Sequence, residues 1–464
     1  MRLTVLLFFP LLGAFDFLRM QNQPVIGYLV IMLPLGIAIT YWLLLKPMLR
    51  SQSAWGLSAE KYRLSRPQRL HAALFITYIA VMLAGFLHAI SVGSRNVMVG
   101  VAEIIFVFSI VLFFYVVVQE FSSKGKSDRL ISYVGISLLI LILGNLLAAG
   151  LGHTNSGQQA NYLREFTNIF GVAGNNLMFP FTGSGRMLSI QAGILIIFGI
   201  FHLKKSTLMF HKWIGIGMVV SGLIVLFIQG GRIPIVMLVG TLAFVLLWRI
   251  SRSFLVFSLM GVIVFPLLVV FGDLGGFIQS LGGDVIETAF SVNFGDVGSF
   301  SNRDKIFSVV LIGFFAKADL MTKIFGFGAQ GQVASGMSDT YSTVFSNSYA
   351  DPFNMPTHNT IVQILVDYGV LGLIIFLVVF FSLFSLIRRN GRLTKIYRPV
   401  GNHEKLLTTV LLYMLACSMT EVSITYYSYG IWSIFIFINI FTVFGCQNRI
   451  WYRKKLEARG NRPT

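Results

Sequence analysis

Charge is what this chain has least of. Asp, Glu, Lys and Arg together make up 12% of its 464 residues, about half of the roughly 25% that soluble proteins carry. So few charged side chains cannot cover a surface that faces water all round, which excludes a soluble globular enzyme. Two cysteines exclude a disulfide scaffold, and 12 prolines exclude a collagen-like fibre. Acidic residues are the scarcer sign, 18 against 36 basic, for a formal charge of +18. On a soluble protein that excess would point to nucleic acid. Here 55% of the residues are hydrophobic and mean hydropathy is +0.77, so the solvent is a membrane, and topology accounts for the charge without a nucleic-acid partner.

A transmembrane helix needs about 20 mostly apolar residues, because the hydrocarbon layer is about 30 Å thick and a helix rises about 1.5 Å per residue. Twelve runs qualify, at approximately 3–18, 25–45, 70–90, 98–118, 130–151, 187–203, 213–230, 233–248, 254–272, 361–387, 406–423 and 426–446. The expected fold is all-α: a polytopic membrane protein with about 12 transmembrane helices and one large outer loop carrying short interfacial helices. With the N-terminus inside, 27 of the 36 Lys and Arg fall in inner segments, as positive-inside topology requires. Both termini are then cytoplasmic. The first run begins like a signal peptide, but Asp16-Phe17-Leu18-Arg19 offers no small-residue cleavage site, so it reads as a retained helix. Cys417 and Cys446 lie in or beside spans and cannot staple the outer loops. No internal repeat is visible, which weighs against a transporter built from duplicated halves.

Three regions follow: helices 1 to 9 in residues 1–272, a large outer loop in 273–360, and helices 10 to 12 with a basic tail in 361–464. A second long outer segment covers 152–186. Inner loops are short and carry little besides charge, whereas 273–360 is rich in Gly, Ser and Asp and retains apolar stretches, the character of a functional loop. Within it, Ser301-Asn302-Arg303-Asp304 precedes an apolar run from Ile306 to Ala316. That pattern predicts a capped helix of roughly 16 Å, too short to cross a bilayer and suited to its outer interface. Pro356-Thr357-His358-Asn359 predicts a second start, with Thr357 capping the tenth span and His358 in its first turn.

Four carboxylates, Asp16, Glu103, Asp367 and Glu421, fall in the outer half of predicted spans. Each costs at least about 2.5 kcal/mol in hydrocarbon unless it faces a cavity or a partner. Arg232, Arg303 and His358 converge on the same outer face, two fixed cations and one titratable base. Guanidinium forks pair with phosphate oxygens, and a neutral imidazole can act as general base. Each has a plainer reading: Arg232 as a snorkelling anchor, Arg303 as a solvated cation paired with Asp304, His358 as a capping or loop residue. Gly326-Phe327-Gly328-Ala329-Gln330-Gly331 lacks the Lys-Ser/Thr ending of a phosphate loop, so its glycines read as turn formers. No His and Cys spacing suggests a metal, and no cofactor is expected.

The order Gly326-Phe327-Gly328, then Pro356-Thr357-His358-Asn359, then Asp367-Tyr368-Gly369-Val370-Leu371-Gly372 resembles the signature of the O-antigen polymerase and O-antigen ligase superfamily. The resemblance covers about residues 300–375, with Arg232 matched by context. It implies a metal-independent glycosyltransferase in the bacterial inner membrane that takes a glycan from undecaprenyl diphosphate at the periplasmic face. Its partners would be that lipid-linked glycan, membrane lipid and a chain-length regulator protein. Arg232 and Arg303 would stabilise the departing diphosphate, and His358 would deprotonate the acceptor hydroxyl, giving inversion. Asp367 or Glu421 would orient the imidazole or be the base instead. Asn359, Asp367, Glu421 and Glu103 are the candidate substrate-binding residues. Polymerase is favoured over ligase because two long outer segments could hold a growing glycan. A lipid-linked glycan flippase is the rival from another class.

Overall fold

The structure is a computed structural model, described at residues 1–20, 24–41, 43, 64–94, 96–123, 126–153, 165–167, 173–175, 179–181, 185–205, 209–229, 232–247, 252–271, 303–345, 355–397, 403–425 and 428–445. Each of the twelve apolar runs coincides with a helix. Nine precede the large loop: α1 (Arg2–Met20), α2 (Pro24–Thr40), α3 (Arg66–Ser91), α4 (Val97–Ser123), α5 (Ser127–Gly150), α6 (Gly185–Lys205), α7 (Met209–Ile228), α8 (Arg232–Leu247) and α9 (Arg252–Phe271). The loop contributes α10 (Arg303–Ile312), continued by a π-helical turn Gly313–Lys317, then α11 (Leu320–Phe325), α12 (Gly331–Ala334) and α13 (Met337–Phe345). Last come α14 (Thr360–Tyr397), α15 (His403–Cys417) and α16 (Tyr429–Ile440), the last continued by a π turn over Phe441–Gly445. A short antiparallel ribbon pairs Glu165 with Asn175. By length and composition α3, α4, α5, α6, α7 and α14 can cross a membrane, and four shorter apolar stretches lie in α1, α8, α9 and α16. The chain is an all-α multi-pass membrane protein. Asp16's side chain, most of 152–186 and everything after 445 lie outside the described residues.

Helices dominate because a backbone in hydrocarbon must satisfy its own hydrogen bonds. α1 and α2 pair as neighbours, as do α6 and α7, while α3 lies along α14 and α8 along α15. α16 is buried on every side, which suits its uniformly apolar sequence. Trp432 stacks there on Phe106 of α4 with ring centroids 5.7 Å apart. Where polar side chains enter this apolar interior they pair across helices. His71 of α3 reaches Ser382 of α14 and Asn439 of α16, both at 3.1 Å.

The segment between α9 and α14 builds a smaller core with the start of α14. Ile306, Phe307, Val310, Leu311 and Phe314 form the inner stripe of α10 and its π turn, and they pack with Met337, Tyr341, Met355, Val362, Leu365 and Val366. The expected short helix is thus present, with its apolar stripe spent on α13 and the start of α14. Ile312, Phe315, Leu320 and Met321 stay exposed on the other side.

Two helices end differently from the hydropathy pattern. α15 stops at Cys417, although apolar character predicts helix through 423; Ser418 to Thr425 form an irregular turn instead. α14 is interrupted at Gly369, which sits at φ +68° and ψ −172°. The interruption leaves the carbonyls of Val366 and Asp367 to accept Phe327 N–H at 2.8 Å and Gly328 N–H at 2.9 Å. The two backbones approach so closely that a Cβ on Gly326 would strike the Asp367 carbonyl, and one on Gly369 the Ile324 carbonyl. The two glycine motifs of the sequence are therefore the two halves of one joint. Gly369→Ala should lower stability by at least about 1–2 kcal/mol from the left-handed backbone alone, more with the clash; a thermal midpoint in detergent equal to wild type would refute this.

Candidate active site

Two irregular segments meet at the Thr360 end of α14. The first is Met355 to Asn359. Asn359 is the N-cap of α14: its Oδ1 accepts Ile361 N–H at 2.8 Å and Val362 N–H at 3.0 Å, satisfying two orphan donors. Asn359, rather than Thr357, therefore caps the helix, because only a side chain immediately before the first turn reaches those donors. His358 lies outside the helix at φ +55°, not in its first turn. A non-glycine residue in that region is uncommon, and such strain gathers at functional sites.

The second segment is the turn from Ser418 to Thr425. Thr360 clasps it twice, donating its hydroxyl to the Glu421 carbonyl at 3.0 Å and accepting Ser423 N–H at 3.0 Å. Thr360 N–H donates to the Ser418 carbonyl at 3.0 Å, and Asn359 Nδ2 to the Met419 carbonyl at 3.0 Å. Every one of these bonds fixes Glu421 relative to His358.

The result is a bridged carboxylate. Arg303 Nη2 donates to Glu421 Oε1 at 3.0 Å, and His358 Nδ1 lies 3.3 Å from Glu421 Oε2. Side-chain exposures of 7%, 4% and 8% for Arg303, Glu421 and His358 mean the pair is desolvated, where charge interactions are strongest. An ionised carboxylate only accepts, so Nδ1 is the ring nitrogen that donates to Glu421, and Nε2 is turned away from it. Arg303 pairs with Glu421 and not, as its sequence neighbour suggested, with Asp304.

The other sequence-selected residues are placed as follows. Asp367 is held by Gly331 N–H at 2.7 Å and Gln363 Nε2 at 2.8 Å through Oδ1, apart from the imidazole. Glu103 of α4 accepts the Tyr368 hydroxyl. Arg232 opens α8; its side chain lies outside the described residues, but Tyr413 of α15 donates to the Pro234 carbonyl at 3.4 Å, seating that first turn on the helix that runs into the Glu421 turn. Three features escaped the sequence reading. Gln332 and Gln363 carry polar bonds behind the His358 segment, and the Glu421 turn interrupts what reads as a span. The run Ser418, Thr420, Glu421, Ser423, Thr425 and Ser428 was the available signal. In the segment between α9 and α14, burial raises the Tyr341 hydroxyl pKa, keeping it a donor to the Met355 carbonyl at 2.9 Å.

Residues 216–377, about a third of the chain, match a model of the family described as O-antigen ligase. That match supports the resemblance to the O-antigen ligase and polymerase superfamily over this stretch. It contains Arg232, Arg303, His358, Asn359 and Asp367, whereas Glu103 and Glu421 lie outside it. No curated protein matches the chain.

Removing one member of a buried ion pair costs about 3–5 kcal/mol because the other charge is left uncompensated. Glu421→Ala should therefore destabilise the protein by that order, and Arg303→Met combined with Glu421→Leu should recover much of the loss. Thermal midpoints of the two variants check this; an unchanged Glu421→Ala midpoint would contradict it.

Proposed function

We propose that this protein is a glycosyltransferase of the bacterial inner membrane, with both termini cytoplasmic, that polymerises undecaprenyl-diphosphate-linked oligosaccharide repeat units at the periplasmic face. The observation that carries the reading is the buried Arg303–Glu421–His358 bridge within or beside the O-antigen ligase stretch. In the reaction, the acceptor hydroxyl oxygen bonds to the anomeric carbon as the bond from that carbon to the diphosphate oxygen breaks. His358 Nε2 takes the hydroxyl proton, and Glu421 stabilises the imidazolium that forms and holds its Nδ1–H. The lipid diphosphate leaves as an anion. Arg303, with five N–H donors in a planar fork, can hold Glu421 and a phosphate oxygen together, stabilising charge that grows in the transition state. Arg232 at the start of α8 supplies the second cation, and attack opposite the leaving group inverts the anomeric centre. No metal is needed in this scheme, since guanidinium supplies the positive charge. In this reading Asn359, Asp367 and Glu103 hold the site, and the protein partner would be a chain-length regulator.

Charges gathered into one bridge favour transfer over a flippase, which needs polar groups along a path through the membrane. The family description favours a second acceptor, the lipid A core, and thus a ligase. A deletion strain separates the two: core capped with a single repeat unit on a gel supports the polymerase, and bare core establishes the ligase. Arg303→Lys should lower turnover about 10²-fold, the scale of losing a transition-state hydrogen-bond donor, because a point charge lacks the paired geometry. Full polymer synthesis in membranes carrying that variant would remove Arg303 from the mechanism.

A further inference from the structure

The bridge holds the His358 side chain through Nδ1. Its backbone, in a left-handed conformation a histidine rarely adopts, needs support from behind, and the structure shows where that support originates. Gln363, fully buried one turn into α14, accepts Thr357 N–H through Oε1 at 3.1 Å. Its Nε2 donates to Gln332 Oε1 at 2.7 Å and to Asp367 Oδ1 at 2.8 Å. Gln332 of α12 donates in turn to the Met355 carbonyl at 3.2 Å, which also accepts from Tyr341. Asp367 accepts from Gly331, the end of the glycine loop seated at the Gly369 joint. The amide orientation is forced: rotated by half a turn, its NH₂ would face the Thr357 N–H and its oxygen two acceptors.

We propose that Gln363 is a positioning residue for transfer, linking the glycine joint to the Thr357–His358 peptide and so setting the imidazole against Glu421. This rests on the reading of His358 as general base. Gln363 touches no substrate; it acts by holding the peptide before His358 in register. A base displaced by about 1 Å loses rate on the order of 10²-fold while substrate binding is largely kept.

The test measures kcat and donor KM for a prenyl-diphosphate-linked oligosaccharide, with the purified full chain in lipid nanodiscs. Gln363→Met preserves volume and removes the three bonds. It should lower kcat at least about tenfold with KM within twofold, measured well below its thermal midpoint, which should fall because buried partners lose their bonds. Unchanged kcat, or a loss carried mainly by KM, would overturn the proposal. If Gln363→Met does not fold, Gln363→Glu decides together with the Gln363→Glu, Asp367→Asn pair. The single change sets two carboxylates together, and the double change restores a donor between them, so the double should regain at least tenfold; equal rates overturn the inference. His358→Ala distinguishes the two levels: if it transfers normally, the reading of the base fails and this inference with it, whereas an inactive His358→Ala beside a fully active Gln363→Met sinks the inference alone.

Discussion

A backbone held in an apolar medium must find a partner for every N–H and C=O that its helices do not use, and the architecture around the candidate site follows from that demand. Helix interrupts at Gly369, at Cys417 and before Thr360, and at each place other segments supply the missing partners. Phe327 and Gly328 serve the carbonyls before Gly369, while Thr360 and Asn359 serve the turn after Cys417. The interruptions before Thr360 and after Cys417 satisfy each other, so meeting the backbone's needs assembles His358 and Glu421 as a by-product.

Burial gives the charged groups their leverage. A guanidinium and a carboxylate at 7% and 4% exposure are stable only as a pair, since each alone costs several kcal/mol of lost hydration. The pair sits where the small core of the outer loop meets the large core of the helices: Ile306 and Phe307 beside Arg303 belong to one, Cys417 before Glu421 to the other. The loop is thereby held to the bundle by chemistry that the proposed reaction also uses. In the proposed reaction a diphosphate beside Arg303 would meet a guanidinium already desolvated and oriented by Glu421, so little reorganisation would be required as charge develops.

Much of this was legible in the sequence. Twelve apolar runs announced twelve helices, the polar loop announced its own elements, and Arg303 and His358 stood out by chemistry. The glycine motifs were legible as turns but not as partners, because close approach of two backbones leaves no mark in composition. The limits of α15 were misread because Cys417, Met419 and Val422 keep local hydropathy high through a turn; only scattered hydroxyls betrayed it. The capping role passed from Thr357 to Asn359 because both are good caps, and one residue of register decides which faces the orphan N–H groups.

Solvent was determined by the sequence alone: with 12% charged residues no water-covered fold was open to this chain, and apolar periodicity in lipid leaves helix as the answer. Which of four costly carboxylates would meet His358 was decided only by tertiary structure. Glu421 is 63 residues away along the chain and Asp367 only nine. Asp367 projects from α14 toward the Gly331 amide, while a non-helical turn brings Glu421 back to the helix start. Pairing of charges depends on distance in space, and helix direction and chain reversal set that distance.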